Sequence, residues 1–200
     1  MRRRRSCSSS VSADATKRPA RPETARVFFA LWPPETVARQ LASIAADYSQ
    51  AAGGRPTRRE TIHLTLAFLG DIAVERLPEL QRVAGEVDAT AFELTLDRFG
   101  VWQHNRLFWA GCATPPALLD LAYSLKKRLM EADFAVADAK RSFTPHITLV
   151  RKLARLDAGL PVANALTFHC GAFVLVRSRL SDKGSAYEVL ARFPLAASQR

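Results

Sequence analysis

Apolar side chains recur along this chain with two periods, and each change of period marks a boundary between elements. The run RVFFALWPP from Arg26 is short and β-prone. It closes on two prolines, which cannot donate to a ladder and often open a helix. In PETVARQLASIAADYSQ, Val37, Leu41, Ile44 and Tyr48 fall at i, i+4, i+7 and i+11, one helical stripe that Gly53-Gly54 ends. TIHLTLAFLG, positions 61–70, then alternates as a strand, and Leu77, Leu80, Ala84 and Val87 form the stripe of a second helix. FELTLDRFG and RLFWAGC alternate on either side of the polar loop WQHNR and predict a hairpin. A third helix follows in PPALLDLAYSLKKRLMEA, with Leu118, Ala122, Leu125 and Leu129 on one face. After it FTPHITLVRK, positions 143–152, is again strand-like. LTFHCGAFVLVRSRL and SAYEVLARFPL predict two closing strands joined across the turn formers of SDKG.

Hairpin spacings outnumber clean βαβ units in this order, so the expected class is α+β with antiparallel pairing. Residues 61–70 and 143–152 each follow a helix and each carry His, an apolar residue, Thr and Leu. That repetition predicts an approximate internal duplication with two lobes. Side chains alternate faces in a strand, so His63 and Thr65 share one face while Ile62, Leu64, Leu66 and Phe68 take the other. His146 and Thr148 stand likewise against Ile147 and Leu149. Each motif then buries an apolar face in its own lobe and turns an imidazole and a hydroxyl toward a shared cleft.

Two imidazoles across a cleft can hold complementary protonation states, because an unperturbed histidine titrates near ~6.5 and small shifts separate a pair. The arrangement suits a general acid and a general base working on a phosphodiester, with the threonine hydroxyls donating to its non-bridging oxygens. A bell-shaped pH profile near neutrality is expected of such a pair. Other readings of the histidines are structural coincidence and metal ligation, but no H-E-x-x-H or Cys/His cluster supplies further ligands. A serine nucleophile lacks its G-x-S-x-G elbow. His104, in the polar loop, reads as solvated, and His169, in a strand, as structural.

Composition changes this picture in three places. The hydrophobic content of 48% in 200 residues is enough for one core. No apolar run approaches the ~20 residues of a membrane span, and MRRRRSCSSS lacks the apolar middle of a secretory signal, so a cytoplasmic protein without a membrane partner is expected. Cys7, Cys112 and Cys170 are scattered without C-x-x-C spacing and predict reduced thiols. The net charge of +10 divides evenly: residues 1–25 hold seven basic and two acidic side chains, leaving +5 on residues 26–200. Residues 1–25 lack apolar periodicity and read as a disordered basic tail, with a nucleic-acid arm or a transit peptide as its functional readings. Residues 26–200 form the expected domain, still basic enough for a polyanionic partner.

With both motifs in view, His63-Leu-Thr-Leu66 and His146-Ile-Thr-Leu149, the chain resembles the two-histidine phosphoesterase superfamily. Within it the resemblance is to the RNA 2′,3′-cyclic phosphodiesterases, also called 2′-5′ RNA ligases (the LigT or ThpR family). It extends from about Arg26 to Leu195 and takes in RVFFALWPP, ETIHLTLAFLGD, RFGVWQHNRLFWAG, FTPHITLVRK and LVRSRLSDKGSAYEVLARFPL. It implies a bilobal fold with two antiparallel sheets and outer helices around a central cleft. It also implies opening of a 2′,3′-cyclic phosphate at an RNA end to a 2′-phosphomonoester, with no metal and no cofactor, and reversible 2′-5′ joining of tRNA halves. By the same resemblance His63 is the general acid, His146 the general base, and Thr65 and Thr148 bind the phosphate. Arg151 corresponds to a family arginine near the phosphate, although strict alternation aims it away from His146 unless the strand ends or bulges near Val150. Phe143 is placed to stack the terminal base or to pack in the core, and Pro145 fixes the approach to His146. RPTRRE before the first motif departs from the apolar or aromatic residue that often stands there. A monomer is the default expectation. Two other readings stay open: a hydrolase of small cyclic nucleotides, and a non-catalytic module that holds RNA ends.

Overall fold

The computed structural model describes residues 23–197 apart from positions 138, 140, 182 and 183. Positions 1–22 of the expected basic tail, and Cys7 with them, lie outside the described residues. Among the described residues nine strands and three α-helices follow one another as β1 (Thr24–Leu31), α1 (Glu35–Ala52), β2 (Arg55–Pro56), β3 (Leu64–Ala73), α2 (Leu77–Gly85), β4 (Phe92–Trp102), β5 (Leu107–Cys112), α3 (Pro116–Glu131), β6 (His146–Arg151), β7 (Leu166–Cys170), β8 (Ala172–Ser181) and β9 (Gly184–Pro194). The first strand begins at Thr24, two residues before the expected Arg26, because Ala25 is already buried in the core. Val87 falls beyond the end of α2. No helix among the described residues is long and apolar enough to cross a membrane.

The sheet runs β7-β4-β5-β6-β3-β1-β8-β9, antiparallel throughout, with β2 beside β6. The two antiparallel sheets expected from the sequence are the halves of this one sheet. β7, β4, β5 and β6 form one half and β3, β1, β8 and β9 the other, and a single residue pair, Leu64 with Ile147, joins them. The chain crosses between halves at Gly171. Residues before it pair with β4 and residues after it pair with β1 and β9. The sequence predicts one strand through LTFHCGAFVLVRSRL where there are two, since apolar alternation continues through a change of partner.

All three helices contribute to one large apolar cluster on one face of the sheet, through Val37, Leu41, Leu80, Leu118 and Leu125 among others. The helices interlock the halves. α1, which follows β1, packs against β6 of the other half, and α3, which precedes β6, packs against β3. The apolar side of each motif strand is therefore covered by a helix from the opposite half, where the sequence suggested its own. A smaller cluster of Phe28, Ala30, Val174 and Val176 lies on the other face with Trp32, Phe68 and Tyr187. That second face carries the histidines.

Candidate active site

The joint between the halves places the motifs. Leu64 and Ile147 each immediately follow a motif histidine, and both are fully buried. An antiparallel pair of equivalent residues relates the two motifs by an approximate two-fold axis. Beside that pair stand His63 and Thr65 on one side and His146 and Thr148 on the other, both sets turned away from the helices. Four side chains meet in one cavity of about 340 Å³: His63, Thr65, His146 and Thr148.

The two rings are held alike. Nδ1 of His63 lies 2.7 Å from the carbonyl oxygen of Thr61, and Nδ1 of His146 lies 2.9 Å from that of Thr144. A carbonyl only accepts, so Nδ1 is the donor in each ring and Nε2 is left with its lone pair. Nε2 of His63 accepts from the Thr65 hydroxyl at 3.1 Å. Around His63 stand Trp32, stacked at 5.5 Å, with Phe28 at 4.8 Å and Tyr187 edge-on at 5.4 Å. His146 meets Trp102 edge-on at 4.5 Å.

Two bulges decide which later residues reach this face. In β6, Thr148 pairs with Trp109 and Val150 with Phe108, so Leu149 is an extra residue and the alternation reverses. Arg151 accordingly lines the cavity with both histidines. In β3 the same happens at Leu66, between Thr65 paired with Ala30 and Ala67 paired with Phe29. Phe68 therefore packs with Phe28 on the histidine face, not on the core side that strict alternation predicts. The bulge follows each His-x-Thr at the same place. Arg151 and Phe68, five residues after their histidines, are equivalent positions filled by different chemistry.

Burial and charge act on both imidazoles. Removal of water by the aromatic walls pulls the His63 pKa down to about 4. The Thr61 carbonyl opposes this, and the charges of Arg151 and His146 reinforce it. His146 is lowered in the same way, by burial first, with the Thr144 carbonyl opposing and Arg151 reinforcing. A histidine whose pKa falls on folding binds its proton more tightly in the unfolded chain. Its contribution to stability is thus intact above the unfolded value of ~6.5 and is lost as pH drops from there toward 4. The expected loss from His63 is up to about 3 kcal/mol, read as a fall in the urea midpoint between pH 7 and pH 4.5 that is larger in the wild type than in His63→Gln. Equal falls in the two proteins would show that this imidazole is not held neutral by the fold.

Known proteins resemble this chain over most of its length. Residues 31–109 match the model of the LigT-like phosphoesterases, a stretch that includes the first motif. The RNA 2′,3′-cyclic phosphodiesterase of Escherichia coli is 32% identical over 86% of this chain and 98% of its own. The chain belongs to the LigT-like phosphoesterase family. The Thermus thermophilus RNA 2′,3′-cyclic phosphodiesterase is 30% identical over 85% of this chain and 90% of its own. Among solved structures, E. coli LigT in its apo form superposes with a TM-score of 0.78, at 31% identity and covering 87% of this chain and 99% of that one. The complex of E. coli LigT with 3′-AMP gives the same score at 32% identity, over 86% and 99% of the two chains.

In this member of the LigT-like family the site extends beyond the motifs. Arg55, Thr57 and Arg58 line the histidine cavity from β2 and the residues after it, and Tyr187 lines it from β9. The segment RPTRRE stood out in the sequence only as a departure from the family pattern, and a two-residue strand leaves no periodic signal. Trp32 and Tyr187 were legible only as parts of longer family-like runs. Phe143 is half-buried against the main core and lines a second cavity, of about 400 Å³, which shares Thr65 and His146 with the first. Lys126 Nζ sits 5.3 Å from the Phe143 ring centroid. His104 is exposed at the rim of that second cavity. His169 is outside the site: it pairs across strands with Glu93 at 2.8 Å on the exposed surface. Cys112 and Cys170 are free and buried, the latter's thiol pushed up to about 12 by burial first and by Glu93.

Proposed function

We propose that this chain opens 2′,3′-cyclic phosphates at RNA ends to 2′-phosphomonoesters without a metal, with His146 as general base and His63 as general acid. The observation that supports this best is the two-fold arrangement of His63, Thr65, His146 and Thr148 about the Leu64–Ile147 pair, in a cavity that no carboxylate lines among the described residues. Curated relatives carry the name RNA 2′,3′-cyclic phosphodiesterase. Their substrate is the cyclic phosphate that such a pair suits.

Nε2 of His146 takes a proton from water, whose oxygen bonds to phosphorus. The bond from phosphorus to the ribose O3′ breaks, and O3′ takes the proton from Nε2 of His63. The 2′ ester remains. Thr65 turns its hydroxyl from His63 to one non-bridging oxygen, Thr148 supplies the other, and Arg151 offsets the charge gathering on both. Attack by a 5′-hydroxyl in place of water gives a 2′-5′ phosphodiester by the same bond changes, so ligation needs no additional group.

At neutral pH burial keeps His63 neutral in the free protein, with its pKa lowered to about 4. An acid role then requires the bound phosphate monoanion to raise it. The pH profile of kcat/KM, which reports the free enzyme, is expected to centre below neutrality, and the profile of kcat to lie at higher pH. The deciding experiment is product analysis with an oligonucleotide ending in a 2′,3′-cyclic phosphate, in the presence of EDTA. Formation of the 2′-phosphate is expected; a 3′-phosphate, or loss of turnover on chelation, overturns the assignment.

A further inference from the structure

The cavity holds more positive charge than one cyclic phosphate needs. Among the described residues its walls carry Arg55, Arg58 and Arg151 and no aspartate or glutamate. An adjoining cavity of about 440 Å³ shares Arg55 and Arg151, adds Arg26, and again has no carboxylate among the described residues. Arg55 and Arg151 are direct cross-strand partners in the β2–β6 ladder, so their side chains leave the sheet on the same face. Like charges in that relation destabilise a ladder. Neither forms an ion pair with a carboxylate among the described residues.

The backbone maintains this pairing. Gly54 has φ of +100°, and a Cβ there would meet the Arg151 carbonyl oxygen at 2.8 Å and Val150 at 2.9 Å. Only glycine lets the chain turn from α1 into β2 this close to β6. The position of Arg55 is therefore built into the fold.

The two arginines stand on different strands. Arg151 is on β6, which also carries His146, and Arg55 is on the neighbouring β2. A volume of about 340 Å³ corresponds to roughly ten waters at ~30 Å³ each, more than a single phosphate group fills.

We propose that Arg55, with Arg151 and the Thr57 hydroxyl, forms a second phosphate subsite beside the histidine pair, and that it takes the phosphodiester joining the terminal nucleotide of an RNA to the one before it. The inference rests on the cyclic-phosphate reading above. In a nucleotide whose O2′ and O3′ are both tied up in the ring, O5′ is the ribose oxygen that carries the next phosphate. A second anion site thus selects strands over cyclic mononucleotides with a free 5′-hydroxyl.

Three substrates separate the possibilities: adenosine 2′,3′-cyclic phosphate with a 5′-hydroxyl, the same compound with a 5′-phosphate, and a dinucleotide ending in the cyclic phosphate. The wild type is expected to favour the dinucleotide over the 5′-hydroxyl compound by about tenfold or more in kcat/KM, a charge-assisted contact's worth, and the preference should shrink as salt rises. Arg55→Gln is expected to reduce that ratio to near one, and Arg55→Lys to retain part of it. A 5′-phosphate compound that matches the dinucleotide assigns the subsite to any phosphate on O5′ and overturns the strand-specific form of the proposal. Equal wild-type rates on all three substrates, or an Arg55→Gln ratio equal to that of the wild type, overturn the subsite altogether. Failure of the wild type to open any of the three instead overturns the cyclic-phosphate function on which it depends.

Discussion

Alanine at His63 or at His146 is expected to lower kcat for cyclic-phosphate opening by about 10²- to 10⁴-fold, the range a positioned proton donor or acceptor contributes. The two rings are held by equivalent Nδ1 bonds to the carbonyls of Thr61 and Thr144, so both losses remove a poised Nε2 and fall in the same range. The double variant should lose little more than the worse single one, because acid and base act on one bond change. A second substrate distinguishes their roles. An aryl phosphodiester, whose leaving phenolate needs no proton, should recover most of its rate in His63→Ala but not in His146→Ala. Recovery in the opposite variant exchanges acid and base. Wild-type turnover of the RNA end in either alanine variant, with circular dichroism unchanged, removes the paired mechanism.

Leu64→Ala is expected to destabilise the protein by about 2–5 kcal/mol, the usual cost of emptying a filled core position. Leu64 is fully buried and is half of the one residue pair that bridges the two parts of the sheet. Its loss should affect function as well as stability, because the separation of the histidines depends on that joint. A displacement of about 1 Å can cost as much as 10²-fold in rate. Under conditions where the variant remains folded, kcat should still fall by tenfold or more. Ile147→Val, which removes one methylene, should cost about 0.5–1.5 kcal/mol and leave kcat near that of the wild type. Urea unfolding followed by assay at low denaturant measures both. A folded Leu64→Ala protein with wild-type kcat means that the interlocked helices, and not the joint, set the spacing.

The helical stripes were legible because the helices bury one face each: Leu118, Ala122, Leu125 and Leu129 are all buried as the 3.6-residue period requires. The motif strands were legible for the matching reason, a period of two with His and Thr in phase. The reading failed where a tertiary contact reverses or interrupts the period. At Leu66 and Leu149 an extra residue flips the alternation, which moves Phe68 and Arg151 onto the histidine face. The family resemblance suggested Arg151 despite the pattern. Nothing suggested Phe68. β2, two residues long, owes its existence to the edge that β6 offers and to the left-handed Gly54, and it brought Arg55 to the site without any pattern of its own.

By itself the sequence determined the element types, the duplication and the two His-x-Thr pairs, because these depend on local periods and on residue chemistry carried within ten residues. Tertiary structure alone decided that Leu64 meets Ile147, that each half's helix covers the other half's motif strand, and that arginines from β2 and β6 face one cavity. Those outcomes depend on which strands pair and in what register. Pairing is a contest among distant segments, settled by burial over the whole chain.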